Sequence, residues 1–244
     1  MLCAMIARFL AALLVTLAAL AGAAEAQPAS ARAPVVVELY TSQGCWQCPR
    51  ANRLLGVLSR EDGLLALTFP VGYWDYLGWA DTFAQPEFSN RQRDYARTLR
   101  MRGRFTPQLV IDGARQVSAS DWDLSRAAIE QARAHARPEG APAVSIQRLA
   151  NNHVRVVVGA GAPGQEADIW LFGYDSGPVT VSISSGENAD RLISHYNLVR
   201  WMARIEGWNG APTWFERARC APECAVIVQG RRGGPVLGAA FTRR

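Results

Sequence analysis

The chain has 244 residues, of which 49 % are hydrophobic and 19 % are charged, and its formal net charge is +5. This is globular composition, and the length suffices for one large domain or two small ones. All 26 lysine and arginine positions are arginine, and no nucleic-acid-binding motif accompanies them. The composition therefore argues against a nucleic-acid partner, and the absence of a phosphate-cradling loop argues against an organic cofactor.

Residues 1–26 have the pattern of a secretory signal peptide. Arg8 precedes an apolar run over residues 9–21, and Ala24-Glu25-Ala26 fits the small-x-small cleavage rule. The run is too short and too alanine-rich for a membrane span, although an uncleaved anchor is the alternative. We predict cleavage near Ala26/Gln27 and a secreted or periplasmic protein.

The first half of the mature chain has the periodicity of an α/β domain in the order β-α-β-α-β-β-α. The predicted elements are a strand at Val35–Tyr40, a helix at Pro49–Arg60, a strand at Leu64–Val71, a helix at Pro86–Arg102, a hairpin of Gln108–Ile111 and Arg115–Ser118, and a helix at Trp122–Ala136. The first three form a βαβ unit with a parallel pair. The arginines of the second helix, Arg91 included, are interpreted as a solvated face. This domain spans residues 35–137.

The second half, residues 138–244, follows a Pro/Gly-rich linker and is predicted to be a smaller antiparallel β-rich, sandwich-like domain. Its short apolar runs predict strands at Val144–Leu149, His153–Val158, Ala167–Tyr174, Val179–Ser184, Cys224–Gln229 and Pro235–Phe241. Leu192–Ile205 fits either a long strand or a helix. Two polar motifs, Gly186-Glu187-Asn188 and His195-Tyr196-Asn197, are predicted to hold the halves together.

Cys45-Trp46-Gln47-Cys48 joins the first strand to the first helix. A Cys-x-x-Cys at such a junction is typical of a dithiol redox site. The helix start brings unpaired N–H groups and a positive dipole end beside Cys45, which favours the nucleophilic thiolate. Cys48 lies one turn further along and can resolve a mixed disulfide. A static disulfide and half of a metal site are the alternatives.

Two further features near this pair each have two interpretations. Glu38 lies on the first strand, where a buried carboxylate can accept a proton from the resolving thiol, although strand alternation can equally turn it towards solvent or an arginine. The aromatic loop Tyr73–Trp79 can form a wall of a peptide-binding groove or be core beneath the second domain.

Cleavage of the signal peptide leaves four cysteines, and export implies an oxidising compartment. Two local pairs, Cys45–Cys48 and Cys220–Cys224, are the simplest of the three connectivities, but the sequence does not choose between them. Cys220 and Cys224 also form, with His195, a donor set that suits copper or zinc. A local disulfide is the simpler interpretation of their spacing.

Five ordered motifs carry a resemblance to a known family. ELYTSQGCWQCPRAN, YWDYLGW, FTPQLVIDG, GENADRLISHYNLV and CAVIVQ together resemble the secreted thioredoxin-like family DUF1223. The resemblance implies a thioredoxin fold in which Pro107 is a cis-proline facing the dithiol. Thr106 and Pro107 would pair with an extended peptide or shield the sulfurs. Trp46 and Gln47 depart from the two small residues usual between the family's cysteines.

A second departure lies before the YWDYLGW motif. Pro70-Val71-Gly72 stands where the family often has His-Val-Asp. Any proton transfer or metal binding that this His and Asp perform in relatives is therefore not expected here.

We predict an exported thiol–disulfide oxidoreductase that acts on protein or small-molecule thiols and disulfides. Cys45 is the predicted nucleophile, Cys48 the resolving thiol, Thr106 and Pro107 the cis-proline segment, and Glu38 the proton acceptor. In a reducing role the protein would need an electron donor such as a membrane thiol carrier. The alternatives are a periplasmic copper-handling protein that uses the same dithiol, and a non-catalytic binding module.

Overall fold

The structure is a computed structural model that describes residues 33–135, 137–217, 220 and 222–242. The predicted signal peptide and its cleavage site lie outside the described residues. Over the part of the chain that is described, no helix is long and apolar enough to span a bilayer.

The described residues form three α-helices and eleven β-strands, and their order through the first half is the predicted β-α-β-α-β-β-α. The elements are β1 (Val35–Thr41), α1 (Cys48–Leu58), β2 (Leu64–Pro70), α2 (Pro86–Thr98), β3 (Gln108–Ile111), β4 (Arg115–Ser118), α3 (Trp122–Ala134), β5 (Val144–Arg148), β6 (Val154–Val158), β7 (Ala167–Ser182), β8 (Leu192–Trp208), β9 (Thr213–Arg217), β10 (Glu223–Gly230) and β11 (Val236–Phe241). The ambiguous segment after Leu192 is a strand. The two short strands predicted before it are one long strand, β7.

A single eight-stranded sheet joins the two halves of the chain in the order β11-β10-β7-β8-β2-β1-β3-β4. β1 and β2 are parallel, and β8 joins the free edge of β2 through the pairing of Thr68 with Leu198. The predicted boundary at residues 137/138 therefore does not separate two sheets, and Ala33–Arg244 form one compact unit. A fully buried β2 explains this, because its second edge would otherwise leave backbone N–H and C=O groups unpaired.

The second half also contains a smaller sheet, in the order β5-β6-β9. It packs on the β7–β10–β11 end of the large sheet through an apolar cluster that includes Val156, Ile169, Val226 and Leu237. The second half thus contributes to two packed layers, and one layer is the continuation of the sheet that begins in the first half.

Strand β1 is buried on both faces, and its alternation decides which residues can reach the candidate site. Val37 and Leu39 face a core built with α1 and α3, while Val36 and Tyr40 face a second core that contains Phe88 of α2. Because successive side chains point to opposite faces of a strand, Glu38 lies on the α2 face and away from α1.

Candidate functional site

The cysteine pair lies in the turn that leads from β1 into α1. The Cys48 backbone N–H donates to the Cys45 carbonyl over 3.1 Å, and the Cys45 N–H donates to the Ser42 carbonyl over 3.2 Å. Pro49 occupies the first turn of α1, where a missing N–H costs no helical hydrogen bond. Cys45 is 5 % exposed and Cys48 has no exposed surface.

Both cysteines are free thiols in the structure, so the pair is described in its dithiol form and the predicted Cys45–Cys48 disulfide stays a prediction. The two thiols interact with each other. A hydrogen bond from the Cys48 thiol is the main influence that lowers the pKa of Cys45 to about 6, with further help from Thr106 and from the N–H groups of Gln47 and Cys48. Burial opposes this shift.

The second thiol behaves in the opposite way. Burial raises the pKa of Cys48 well above its usual value, and its hydrogen bond to Cys45 raises the pKa further. The structure thus pushes the two pKa values apart, with the thiolate favoured on the outer cysteine and the thiol on the inner one.

The segment before β3 covers Cys45. The Thr106–Pro107 peptide bond is cis, as the family resemblance implied. The Cys45 thiol donates to the Thr106 carbonyl over 3.7 Å. The indole N–H of Trp74 donates to the Thr106 hydroxyl over 2.7 Å, so the aromatic loop contacts this segment.

The aromatic loop borders the cysteine pair. Tyr76 is 76 % exposed and stacks on Trp74 with ring centroids 6.2 Å apart, and Trp46, between the cysteines, is 62 % exposed. Tyr73 packs against the core on the α2 face. Within the loop, Tyr73 is thus core and Tyr76 is exposed, and the groove interpretation stays a prediction.

Three side chains from distant parts of the chain contact the backbone of the dithiol turn. The Asp81 carboxylate accepts the Gln43 N–H over 2.8 Å, and burial raises the pKa of Asp81 to about 6. The Asn188 amide donates to the carbonyls of Gln43 and Cys45 over 2.8 and 2.9 Å. Glu187 accepts the Trp46 N–H over 3.4 Å. These contacts agree with the prediction that the Gly186–Asn188 motif links the two halves.

The sequence did not connect Asn188 or Asp81 with the cysteines. Each lies far along the chain from Cys45, and neither belongs to a pattern with a fixed spacing from it. Another missed residue, Asn52, had a usable signal, because it lies four positions after Cys48 and so on the same face of α1.

Glu38 is not placed as predicted. Its carboxylate forms two hydrogen bonds with Arg91, of 2.6 and 2.8 Å, and accepts the hydroxyls of Tyr40 and Tyr95 over 2.9 and 2.5 Å. The strand's alternation turns it to the α2 face, so it is not positioned to accept the Cys48 proton. Arg91 is likewise not part of a solvated face, because it is 5 % exposed and forms this ion pair.

Cys220 and Cys224 form a disulfide with a Cα–Cα distance of 5.4 Å. They lie in the apolar cluster between the two sheets, whereas His195 lies beside Asn52 of α1. The structure therefore does not bring these three residues together. Within the described ranges, no group of three or more His, Cys, Asp or Glu side chains has a metal-binding arrangement.

The fold and the site define a mixed α/β protein with a large, mostly antiparallel sheet, three described helices and a cysteine pair at a helix start. The chain belongs to the family described as "Protein of unknown function (DUF1223)", whose profile matches residues 36–229.

A solved structure supports the fold. The chain is similar to the crystal structure of a protein from Agrobacterium tumefaciens, with 27 % sequence identity and a TM-score of 0.70. The similarity covers 87 % of this chain and 95 % of the other. No protein with a curated description matches the chain.

Proposed function

We propose that this protein is a thiol–disulfide oxidoreductase whose nucleophile is Cys45. The observation that carries the proposal is that the two cysteines differ in exposure and have opposite pKa shifts. Cys45 keeps a small exposed fraction and a pKa lowered to about 6, while Cys48 is fully buried with a raised pKa. Exchange proteins have attacking thiols with a pKa of about 3.5 to 7, and Cys45 falls in this range.

In the reducing direction, the Cys45 thiolate attacks one sulfur of a substrate disulfide. A mixed disulfide forms, and the first substrate thiolate leaves and takes a proton from solvent. Cys48 then loses its proton and attacks the Cys45 sulfur, which forms the Cys45–Cys48 disulfide and releases the second substrate sulfur as a thiol. Two electrons pass from the dithiol to the substrate, and the reverse sequence oxidises a substrate dithiol.

The proposal includes a thioredoxin-like arrangement of the first half. Its support is the order of elements from β1 to α3, the Cys-x-x-Cys-Pro at the start of α1, and the cis bond before Pro107 beside Cys45. In this arrangement the Thr106–Pro107 segment covers the sulfurs and lies where an extended substrate would pass.

We further propose export, with cleavage near Gln27, and substrates that are protein or small-molecule thiols and disulfides. The support for export is the sequence pattern of residues 1–26 together with the Cys220–Cys224 disulfide, since structural disulfides persist in oxidising compartments. In a reducing role, a membrane thiol carrier would return electrons to the Cys45–Cys48 pair.

The test is the reduction potential of the pair in the protein that begins at Gln27, measured in glutathione or dithiothreitol buffers with mass-spectrometric thiol trapping. A value between about −120 and −270 mV, the span of exchange proteins, is expected. A value below about −300 mV, typical of structural bridges, would overturn the proposal in favour of a non-catalytic binding module. Tight Cu(I) binding by the dithiol with no disulfide exchange would overturn it in favour of copper handling.

A further inference from the structure

One face of α1 carries Cys48, Asn52 and Gly56 at intervals of four residues, and this face lies against the start of β8. The approach is close at its far end, because a Cβ atom on Gly56 would lie 2.7 Å from the ring of Tyr196. The side chain before Tyr196 is His195, which reaches Asn52. β8 therefore places the imidazole of His195 beside the face of α1 that carries Cys48.

A chain of hydrogen bonds connects this imidazole to the neighbourhood of Cys48. The Thr41 hydroxyl donates to the Asn52 amide oxygen over 2.8 Å, and the Asn52 amide nitrogen lies 3.4 Å from Nδ1 of His195. Thr41 also acts on Cys48, because a hydrogen bond from its hydroxyl to the Cys48 thiolate would lower the pKa of Cys48. All four side chains are buried, with 1 % exposure or less.

The protonation state of His195 bears on which groups donate and which accept in these hydrogen bonds. Burial, and then the positive charge of Arg200, lower the pKa of His195 to about 4, so the ring is neutral at pH 7. A neutral imidazole has one donor and one acceptor nitrogen. Because Asn52 presents its NH₂ group to Nδ1, Nδ1 is the acceptor and the proton is on Nε2, which has no hydrogen-bond partner among the described residues.

This arrangement of donors and acceptors determines what Thr41 can do. When the Asn52 NH₂ group donates to His195, the Asn52 amide oxygen faces Thr41. The Thr41 hydroxyl has a single proton, and it donates this proton to that oxygen. The hydroxyl then has no proton left for the sulfur of Cys48. Apart from the neighbouring Cys45 side chain, a Cys48 thiolate would then receive the Ser42 N–H, at 3.4 Å, from the described residues.

We propose that Thr41, Asn52 and His195 are positioning residues whose hydrogen-bond chain, oriented by Nδ1 of His195, withholds the Thr41 proton from Cys48 and so keeps Cys48 protonated. The Cys48 proton then remains available for the hydrogen bond that favours the Cys45 thiolate. The chain thereby assigns the negative charge to the outer cysteine. This inference rests on the proposed function for its catalytic meaning, since it concerns which of the two thiols attacks.

The test is a double-mutant cycle on the ionisation of Cys48, followed by the ¹³Cβ chemical shift of labelled cysteine in a Cys45→Ser background. His195→Phe removes the acceptor, so Asn52 can turn over and the Thr41 hydroxyl can donate to the Cys48 thiolate. We expect the pKa of Cys48 to fall by about one unit, which is the scale of a hydrogen bond to a charged group. The same substitution in the Thr41→Val background is expected to leave that pKa unchanged.

Phe83→Leu is the matched control. Phe83 packs edge-on against His195 at 5.7 Å, so this substitution loosens the ring without removing its acceptor nitrogen. Its expected effect on the pKa of Cys48 is close to zero. Cys45, replaced in the background, and Tyr73 are the titratable groups that interact electrostatically with Cys48. The inference is overturned if His195→Phe leaves the pKa of Cys48 unchanged or raises it, or if the fall persists in the Thr41→Val background.

A second measurement uses the unsubstituted reduced protein and does not depend on how the variants fold. The chain has three histidines, so the ring ¹⁵N signals of His195 are readily assigned. We expect the proton on Nε2 at pH 7, and a proton on Nδ1 would overturn the inference. Neither measurement requires turnover. A protein with the expected tautomer and cycle but a structural-bridge potential would keep the inference about Cys48 and lose the proposed function.

Discussion

Strand β1 supports two buried polar clusters, one on its α2 face and one at its end beside α1. In the first, Glu38 and Arg91 form a two-bond ion pair, and Tyr40, Tyr95 and Gln229 complete their hydrogen bonds. In the second, two thiols lie in contact, and their pKa values move in opposite directions.

The difference distinguishes a closed ion-pair cluster from a pair of thiols suited to the proposed reaction. The Glu38 carboxylate and the Arg91 guanidinium are each other's charge partners and are closed off from solvent, so neither is available to a ligand. The dithiol has an outer group that favours its charged form and an inner group that favours its neutral form. Neighbouring groups with opposed pKa shifts are typical of sites that transfer protons or attack electrophiles.

The largest expected effect is the loss of exchange in Cys45→Ser. Removing the attacking sulfur should lower the rate of reduction of a peptide disulfide on the order of a thousandfold or more, because no other thiol of the pair is exposed. The free energy of unfolding should change little. Cys220→Ala/Cys224→Ala is the control, and its exchange rate should stay within a few-fold of the unsubstituted protein. Exchange that survives Cys45→Ser would show that Cys45 is not the nucleophile.

The next effect concerns the structural cluster. Arg91→Leu leaves the Glu38 carboxylate buried without its charge partner, so the free energy of unfolding in urea should fall by about 3–5 kcal/mol. The pKa of Cys45, from the pH dependence of its alkylation, should stay near 6. Arg97→Leu, which breaks the exposed pair with Asp94 on the same helix, is the matched control and should cost no more than about 1 kcal/mol.

A double substitution sharpens this result. Glu38→Leu/Arg91→Leu removes both charges and should recover part of the stability lost in Arg91→Leu, because no unpaired charge remains buried. A change in the pKa of Cys45 or Cys48 in these variants would contradict the separation of the two clusters and restore the proton-acceptor role predicted for Glu38.

The position of the Glu38 side chain shows how far the sequence can predict this site. The dithiol, its helix start and the order of the first seven elements follow from local patterns, and the cis bond at Pro107 follows from the family resemblance. The face of β1 that Glu38 occupies depends on which neighbour meets each side of the sheet. The arginine spacing of α2 likewise did not reveal that Arg91 is the one turned inward to meet that carboxylate.

Contacts between distant segments also could not be predicted from the sequence. Thr68 of β2 pairs with Leu198 of β8, which lies 130 positions later in the chain, and this pairing accompanies the approach of Asn188 and His195 to the dithiol turn and α1. The sheet shared by the two halves was missed for the same reason. A linker rich in Pro and Gly marks a change in local composition, but it does not reveal that a later strand returns to an earlier sheet.

A smaller effect is expected at the contact between Asn188 and the dithiol turn. Asn188→Asp replaces an amide donor with a carboxylate beside the Cys45 carbonyl, so the thiolate becomes less favourable. The pKa of Cys45 should rise by about one unit, with a fall in alkylation rate of about fivefold at pH 6. Asn197→Asp is the matched control, because Asn197 also donates to a backbone carbonyl, that of Ala66. An equal shift in both variants would contradict a specific role for Asn188.

The most direct test of the account is the pH dependence of the Cys45–Cys48 reduction potential. Below pH 6 reduction takes up two protons with two electrons, so the potential should fall by about 59 mV per pH unit. Above pH 6 Cys45 is a thiolate in the reduced pair, so reduction takes up one proton with two electrons. The potential should then fall by about 30 mV per pH unit until Cys48 ionises. A break in slope near pH 6 is the predicted result. A single slope of about 59 mV up to pH 8 would show that neither thiol is ionised and would contradict Cys45 as the attacking thiolate.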